Sequence, residues 1–459
     1  MSAISWTRDA AAHLLRRAGF GGAPSEIDAL YARGSVESAV SALVDDDSID
    51  TSAYEAALGA KGYNLTTIKG VQGWFMDRMA FSPRRLEEKM TYFWNLHWTS
   101  GISKVKGVNL ILNQNKTERK YAMGKFDDLV VQISQDPAML VWLDNWLSRP
   151  SHPNENYARE LMELFTLGVS SGYTQSDVTN VARAFSGWTL QGYNKANNYA
   201  ATFVDNPAFH DNGTKTILGQ TGNWNGYDAI NLILNWSDAG GSKSGRFLAA
   251  KLWTFFGYPD PGDYLVSQLA SAYVSSGRSI RELVRAIFLS SEFYEPHTFK
   301  TWVRSPVEYA VAGIRMLEGT SDFSSPANSL TPMGQSLFDP EDAKGWDWGD
   351  AWMNTGTVFA RSSLSNTLAS NRGSTGTFFN PSALLSGQDA STADAVVNIL
   401  ADRLNVSDVS SDVRSSWVTY MNANDDGSRG VWTNTPANVD KKVRGLVELM
   451  LTSAAFHLA

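Results

Sequence analysis

The sequence predicts a mainly α fold, a multi-helix globular bundle with one small β-hairpin excursion near residues 200–220. Hydrophobic residues make up 43% and charged residues 19% of the 459 positions, a balance that indicates a folded globular chain. Apolar residues recur at helical spacing through the first two-thirds of the chain, between capping and helix-breaking residues. The character of the sequence changes between residues 189 and 226, where residues 203–222 are rich in Asn, Asp and Gly, and strands are expected only in this excursion.

Capping and breaking residues set the bounds of the predicted helices. Gly19 and Gly34 end the first two helices, and Ser82-Pro83 opens a longer one. Thr174 and Asp177 have the spacing of a capping box at the start of another helix. The predicted helices cover residues 8–18, 24–33, 82–97, 174–187, 247–256 and 280–293.

Turns and loops are predicted from composition. His210-Asp211-Asn212-Gly213 has the residues of a hairpin turn. Residues 320–335 and 366–392 are rich in Ser, Asn, Gly and Thr, which predicts loops on either side of a tryptophan-rich segment at 344–352.

The domain organisation follows from these elements. We expect residues 1–459 to form one integrated helical unit, because no linker rich in Pro or charge divides the helices. Within it, sub-bundles 1–318 and 336–459 are expected to be joined by the Ser/Asn/Gly-rich loop between them.

Residues 151–168, called here the signature segment, are the most informative part of the chain. At 100° per residue, one arc is apolar and the opposite arc is polar. The apolar arc holds Tyr157, Ala158, Leu161, Met162, Leu164 and Phe165, and the polar arc holds Glu155, Asn156, Arg159, Glu160 and Glu163. Two interpretations remain open: an ordinary amphipathic helix with ion pairs at four-residue spacing, or a polar arc that lines a cleft.

Charge and composition exclude several classes of protein. The net charge of −8 argues against nucleic acid as a partner, and no apolar run approaches the roughly 20 residues of a membrane span. The absence of cysteine excludes disulfides, thiolate nucleophiles and Cys-ligated metals. Metalloprotease HExxH, EF-hand, Walker and GxSxG motifs are also missing from the sequence.

Several motifs, in order along nearly the whole chain, resemble the bacterial family called domain of unknown function 1800 (DUF1800). The signature segment from His152 to Gly168 is the most specific of them. One departure is Asn95, where the family more often has a second histidine. The other matching pieces are residues 13–21, 89–97, 136–140, 184–188, 210–211, 218–219, 305–308, 344–346 and 351–352.

The resemblance implies a partner rather than a reaction. Members of this family are often encoded beside sulfatase-like proteins of a second family, domain of unknown function 1501 (DUF1501), which commonly carry twin-arginine export signals. The N-terminus shows no signal peptide of its own. We therefore expect a soluble, cytoplasmic protein unless it is exported together with such a partner.

Three classes of function are compatible with the sequence. The first is a hydrolase or lyase acting on a polysaccharide, in which paired carboxylates share acid and base chemistry. Its candidate catalytic residues are His152, Glu155, Arg159, Glu163, His210 and Asp211, and its candidate sugar-stacking residues are Trp346, Trp348 and Trp352.

The second class is a protein that binds a divalent metal through histidine and carboxylate ligands, with His97, His152 and His210 as the candidate histidines. The third is a non-catalytic partner protein at the cell surface or in the periplasm, which docks through the polar arc and the tryptophan-rich segment. The third is narrowly favoured because no known catalytic constellation is complete. We further expect Glu155, Arg159 and Glu163 to meet at least one of the three histidines in space.

Overall fold

A computed structural model describes residues 4–372 and 376–459 and shows the predicted mainly α fold. Ten helices precede the signature segment: α1 (Arg8–Gly19), α2 (Pro24–Tyr31), α3 (Val36–Val44), α4 (Ser52–Ala60), α5 (Ile68–Phe81), α6 (Arg85–His97), α7 (Ile102–Val105), α8 (Val108–Tyr121), α9 (Phe126–Ser134) and α10 (Pro137–Trp142). Seven more reach the middle of the chain: α11 (Glu155–Glu160), α12 (Gln175–Ala184), α13 (Gly226–Asn235), α14 (Lys243–Phe256), α15 (Asp263–Ser275), α16 (Ile280–Phe288) and α17 (Pro306–Met316).

The C-terminal third is also helical. It contains α18 (Ser324–Leu330), α19 (Thr355–Ser370), α20 (Pro381–Leu385), α21 (Ala393–Arg403), α22 (Ser411–Asn422), α23 (Pro436–Asn438), α24 (Arg444–Leu451) and α25 (Ala454–His457). Two segments are π-helical, Leu161–Thr166 directly after α11 and Val439–Val443 between α23 and α24. Within the described ranges, no helix is both long and apolar enough to cross a membrane.

In the part of the chain that the structure describes, the strands form three short antiparallel hairpins, which confirms a small β excursion. The strands are β1 (Trp188–Gln191), β2 (Thr202–Asp205), β3 (Lys215–Ile217), β4 (Gln220–Gly222), β5 (Ser237–Asp238) and β6 (Gly241–Ser242). β1 pairs with β2, β3 with β4 and β5 with β6. The third hairpin lies beyond the region in which strands were expected.

The position of the predicted hairpin turn is wrong. His210-Asp211-Asn212-Gly213 lies between β2 and β3, where an Asp211 carboxylate oxygen accepts the Gly213 N–H at 2.8 Å. The turn that joins β3 to β4 is Leu218-Gly219, and both of its residues have positive φ, +49° and +82°. A two-residue hairpin turn needs that backbone conformation, whereas the Asp side chain bends the chain locally at residues 211–213.

The loop predicted at 320–335 is also wrong, since it contains α18 and a 3₁₀ turn at Thr331–Met333. The loop predicted at 366–392 begins inside α19 and contains α20, and its residues 373–375 lie outside the described residues. Ser and Asn have modest helix propensity, but burial of Pro326, Ala327 and Leu330 against the core stabilises α18. Tertiary packing overrides composition in this segment.

One continuous hydrophobic core extends from α1 to α25. Long-range contacts join the first and last parts of the chain: Arg8 donates two hydrogen bonds to Asp402, at 2.6 and 3.0 Å, and the Tyr309 hydroxyl donates to the Leu451 carbonyl at 3.0 Å. The division into sub-bundles 1–318 and 336–459 stays a prediction.

Candidate functional site

The signature segment begins with a side-chain cap and ends in a π-helix. The Asn154 side-chain oxygen accepts the Tyr157 N–H at 2.9 Å and so starts α11. From Leu161 the helix widens, and the Leu167 N–H bonds to Met162 O, five residues back. π-Helical turns are rare and are frequent at functional sites, which makes this segment the centre of the candidate site.

The apolar arc of this helix faces the core, as the residue pattern indicates. Tyr157, Leu161 and Phe165 are buried, and Leu164 is half-buried. The first half of the polar arc forms a network with α12. Gln175 receives a hydrogen bond from Arg159 at 2.7 Å and donates one to Glu155 at 2.8 Å.

Glu155 and Arg159 themselves are only loosely paired. Their nearest charged atoms are 4.0 Å apart, and their side chains are 41% and 40% exposed. The Thr179 hydroxyl also donates to Glu155 at 2.7 Å. This half of the polar arc is therefore an open, hydrogen-bonded surface, on which single ion pairs contribute little to stability.

The second half of the polar arc is more acidic, since it holds Glu160 and Glu163 and no basic residue. Glu160 is half-buried, and burial raises the pKa of its carboxyl, with a further contribution from Glu163 and a smaller one from Asp342. Burial and the Glu163 charge also raise the pKa of the Tyr173 hydroxyl. We call Glu160, Glu163 and Asp342 the acidic patch.

His97 packs against the π-helical segment and bonds to one of its free carbonyls. Its Nε2–H donates to Phe165 O at 3.0 Å, and its Nδ1 accepts from the Lys251 ammonium at 3.1 Å. Lys251 also donates to Leu164 O at 3.1 Å. Carbonyl oxygens at the end of a helix need hydrogen-bond donors from outside the helix. His97 and Lys251 supply these donors to Phe165 O and Leu164 O at the end of the signature segment.

Burial and the neighbouring Lys251 charge lower the pKa of His97 well below its usual value, so the ring is neutral near pH 7. Burial also lowers the pKa of Lys251 to about 8. In this state Nδ1 already accepts and Nε2 already donates, which leaves His97 no lone pair for a metal ion.

The other two candidate histidines lie elsewhere. His152 is exposed, and its Nδ1 is 3.0 Å from Ser151 Oγ. His210 Nδ1–H donates to Ser186 O at 2.9 Å, while Asp211 pairs with Arg183 at 2.7 Å. The hydrogen bond from Arg183 is the main cause that lowers the pKa of Asp211. His210 and Asp211 thus attach the β2–β3 connection to the end of α12.

The structure places the nearest charged atoms of Glu155 and Arg159 4.0 Å apart, but among the described residues no histidine forms a hydrogen bond or ion pair with either of them. The hydrogen bonds and ion pairs of Glu155 and Arg159 in the described residues go to Gln175, Thr179 and each other. In the same residues, no group of three His, Asp or Glu side chains could hold a metal ion. His97, His152 and His210 therefore do not fit a shared divalent metal in this arrangement.

The tryptophan-rich segment covers the ion pair between the buried side chains of Lys89 and Glu308. Trp348 and Trp352 line a narrow cavity of about 20 Å³, with space for roughly one water molecule, together with Glu308. Trp352 is only 6% exposed, and Trp346 and Trp348 are half-buried. Trp352 consequently offers no free ring face to a sugar in this conformation.

Nearly the whole chain matches one known protein family. The family profile described as "Protein of unknown function (DUF1800)" matches residues 13–458, nearly the whole chain. The chain belongs to this family. No curated protein and no solved structure matches it.

Several DUF1800 motifs, far apart in sequence, converge at the buried ion pair. Lys89 of α6 pairs with Glu308 of α17, and both side chains are buried. Burial lowers the pKa of Lys89 to about 8, against the opposing effect of Glu308. Although burial opposes ionisation of Glu308, Lys89 and Arg17 lower its pKa to about 2.

Sequence reasoning did not select Lys89, Glu308 or Arg17 as site residues. The available signal was their position, since Lys89 opens the 89–97 motif, Glu308 closes the 305–308 motif and Arg17 lies in the 13–21 motif. A buried Lys and Glu are rarely tolerated unless they are paired. The pairing joins positions 219 residues apart, which no local pattern reveals.

Proposed function

We propose that this member of the DUF1800 family acts by binding a partner protein, and that the sulfatase-like DUF1501 class supplies the partner. The observation that carries the proposal is the open polar arc of the signature segment, with Glu155 and Arg159 about two-fifths exposed. A catalytic arc is expected inside a concave pocket. An exposed arc next to a half-buried aromatic segment has the anatomy of a docking surface.

Charge supports the same function and defines the partner's surface. The acidic patch contains three carboxylates, and the pKa of Glu160 is raised mainly by burial and further by the charges of Glu163 and Asp342, which repel it. A basic surface on the partner would relieve that repulsion, increase the association rate and be sensitive to salt. We propose that binding takes place at the cell surface or in the periplasm after joint export.

The test is a binding titration between this protein and a purified DUF1501 protein at low and high salt. Reversal of two charges, Glu160→Lys with Glu163→Lys, should weaken binding by roughly tenfold or more, which is about 1.4 kcal/mol. The matched control is Glu37→Lys with Glu295→Lys, which reverses two exposed carboxylates outside the patch. If both double variants bind like the unaltered protein, or no complex forms at low salt, the proposal fails.

A second function, a carboxylate hydrolase or lyase on a polysaccharide, is favoured by one observation. Burial and the neighbouring Glu163 charge raise the pKa of Glu160, and a carboxyl with a raised pKa is suited to act as a general acid. Release of reducing ends or unsaturated products from a panel of polysaccharides tests it. Glu163→Gln should leave the unfolding midpoint unchanged and abolish the release of these products. If the unaltered protein releases no product from any polysaccharide of the panel, the enzymatic function is contradicted.

A further inference from the structure

A cleft of about 400 Å³ lies away from the acidic patch, between the start of α1, the Phe299-Lys300 segment and the chain that follows α21. Its volume falls within the range of small-molecule sites. Arg8 of α1 and Asp402 of α21 form one wall through their paired hydrogen bonds. The cleft was not predicted from the sequence, because its walls are 394 residues apart.

The floor of the cleft contains an aromatic ring with one supported face. Phe299 stacks on the buried His13 ring at a centroid distance of 4.2 Å and an interplanar angle of 16°. His13 is fixed in turn by Phe293 O, which accepts from Nε2–H at 3.1 Å, and by Arg16, which donates to Nδ1 at 3.3 Å. Phe299 is half-buried and lines the cleft with its remaining surface, so it offers a fixed apolar platform.

The walls alternate hydrogen-bond donors and acceptors. Lys300 pairs with Asp408 and donates to the Asn405 carbonyl at 2.6 Å. The Arg16 guanidinium donates to Asn405 Oδ1 at 2.9 Å, which leaves the Asn405 amide as a donor, and Ser407 adds an exposed hydroxyl. These groups can donate and accept around a ligand bound on the aromatic floor.

The formal charges of the lining cancel. Arg8, Arg16 and Lys300 balance three aspartates, Asp9, Asp402 and Asp408. A site for a phosphate or a carboxylate would carry excess positive charge, whereas a neutral ligand with many hydroxyls needs both donors and acceptors.

A second cavity of about 270 Å³ adjoins the cleft and shares Asp402 and Ser407 with it. We call the two cavities together the groove; they share Asp402 and Ser407, so a ligand that occupies both is longer than a single ring. A chain of linked rings fits such a groove better than a single small molecule does.

We infer that this groove binds a neutral saccharide chain, with one pyranose ring stacked on Phe299 and its hydroxyls bonded to Asn405, Ser407 and the flanking ion pairs. The inference is independent of the proposed partner function, because the groove and the acidic patch share no residue.

The test is a titration of the full chain with maltohexaose, cellohexaose and chitohexaose, followed by tryptophan fluorescence or calorimetry. We expect saturable binding to at least one of them and no competition from inorganic phosphate. Ser407→Trp, at an exposed position on the rim, should weaken that binding at least about tenfold by filling the groove. Phe299→Ala should weaken it by a similar factor through loss of stacking.

The control is Ser38→Trp, which places the same ring at an exposed position outside the groove and should bind like the unaltered protein. Ser407→Trp keeps the test valid if Phe299→Ala lowers stability. The inference is overturned if none of the three saccharides binds, if binding is unchanged in Ser407→Trp, or if phosphate competes, since competition would indicate an anion site.

Discussion

The buried Lys89–Glu308 pair gives the sharpest stability prediction. Both side chains are removed from water, and Arg17 and Arg304 lie close enough to affect their pKa values. Breaking a buried pair by removing one partner costs about 3–5 kcal/mol, because the other charge stays buried. The free energy lost in Glu308→Gln should lie at the upper end of this range. The substitution leaves three cations, Lys89, Arg17 and Arg304, without their neighbouring anion.

Lys89→Met should cost less, nearer about 3 kcal/mol, because Arg17 still compensates Glu308 and Met preserves the apolar stem. The double variant Lys89→Met with Glu308→Gln leaves neither charge buried. Its loss should therefore be clearly smaller than the sum of the two single losses, with a coupling free energy in the range of about 0.5–3 kcal/mol for contacting residues.

The assay is urea unfolding of the four proteins, with midpoints and slopes compared, and repeated in acid. The folded-state pKa of Glu308 is about 2, below its ordinary value of 4.5. The stability from its ionisation, about 3 kcal/mol from a shift of that size, is therefore present above pH 4.5. It is lost as pH falls through 2, and Glu308→Gln should lack this loss. Single-variant losses below about 1 kcal/mol, or strictly additive losses, would refute the reasoning.

Two further predictions concern the signature segment and the histidines. Leu161→Ala, at a fully buried position where the π-helix begins, should lower the free energy of unfolding by about 2–5 kcal/mol, and a urea-denaturation loss below about 0.5 kcal/mol would contradict its place in the core. Burial lowers the pKa of His97 in the folded state. The neutral ring therefore contributes to the free energy of unfolding above pH 6.5, and this contribution is lost as the pH falls below that value. His97→Gln should therefore show a shallower decline in stability between pH 7 and pH 5 than the unaltered protein, and an identical decline would show that His97 is not part of it.

Local patterns predicted the helices and their faces well. The spacing of Tyr157, Leu161 and Phe165 placed them on one buried face, and Thr174 with Asp177 forms the expected capping box. Each of these features depends on residues within a few turns of one another.

The remaining features depend on contacts that sequence spacing does not encode. The widening to a π-helix at Leu161 has no distinct periodicity, and the Lys251 partner of His97 is 154 positions away. The Ser- and Asn-rich residues of α18 are helical because the core holds them. The Lys89–Glu308 pair likewise joins two helices whose residues lie 219 positions apart.

The bonds between Arg8 and Asp402 have a consequence for how the chain is made. Because 394 residues separate the two, α1 emerges from the ribosome long before its partner exists. At ordinary synthesis rates of about 5–20 residues per second, the delay is roughly 20–80 s. Through that interval α1 can pack against α2 and α6, but Arg8 lacks Asp402, so protease digestion of ribosome-bound chains should cut near Arg8 until α21 is made. Late protection would leave an interval in which a chaperone can bind α1 before the fold closes.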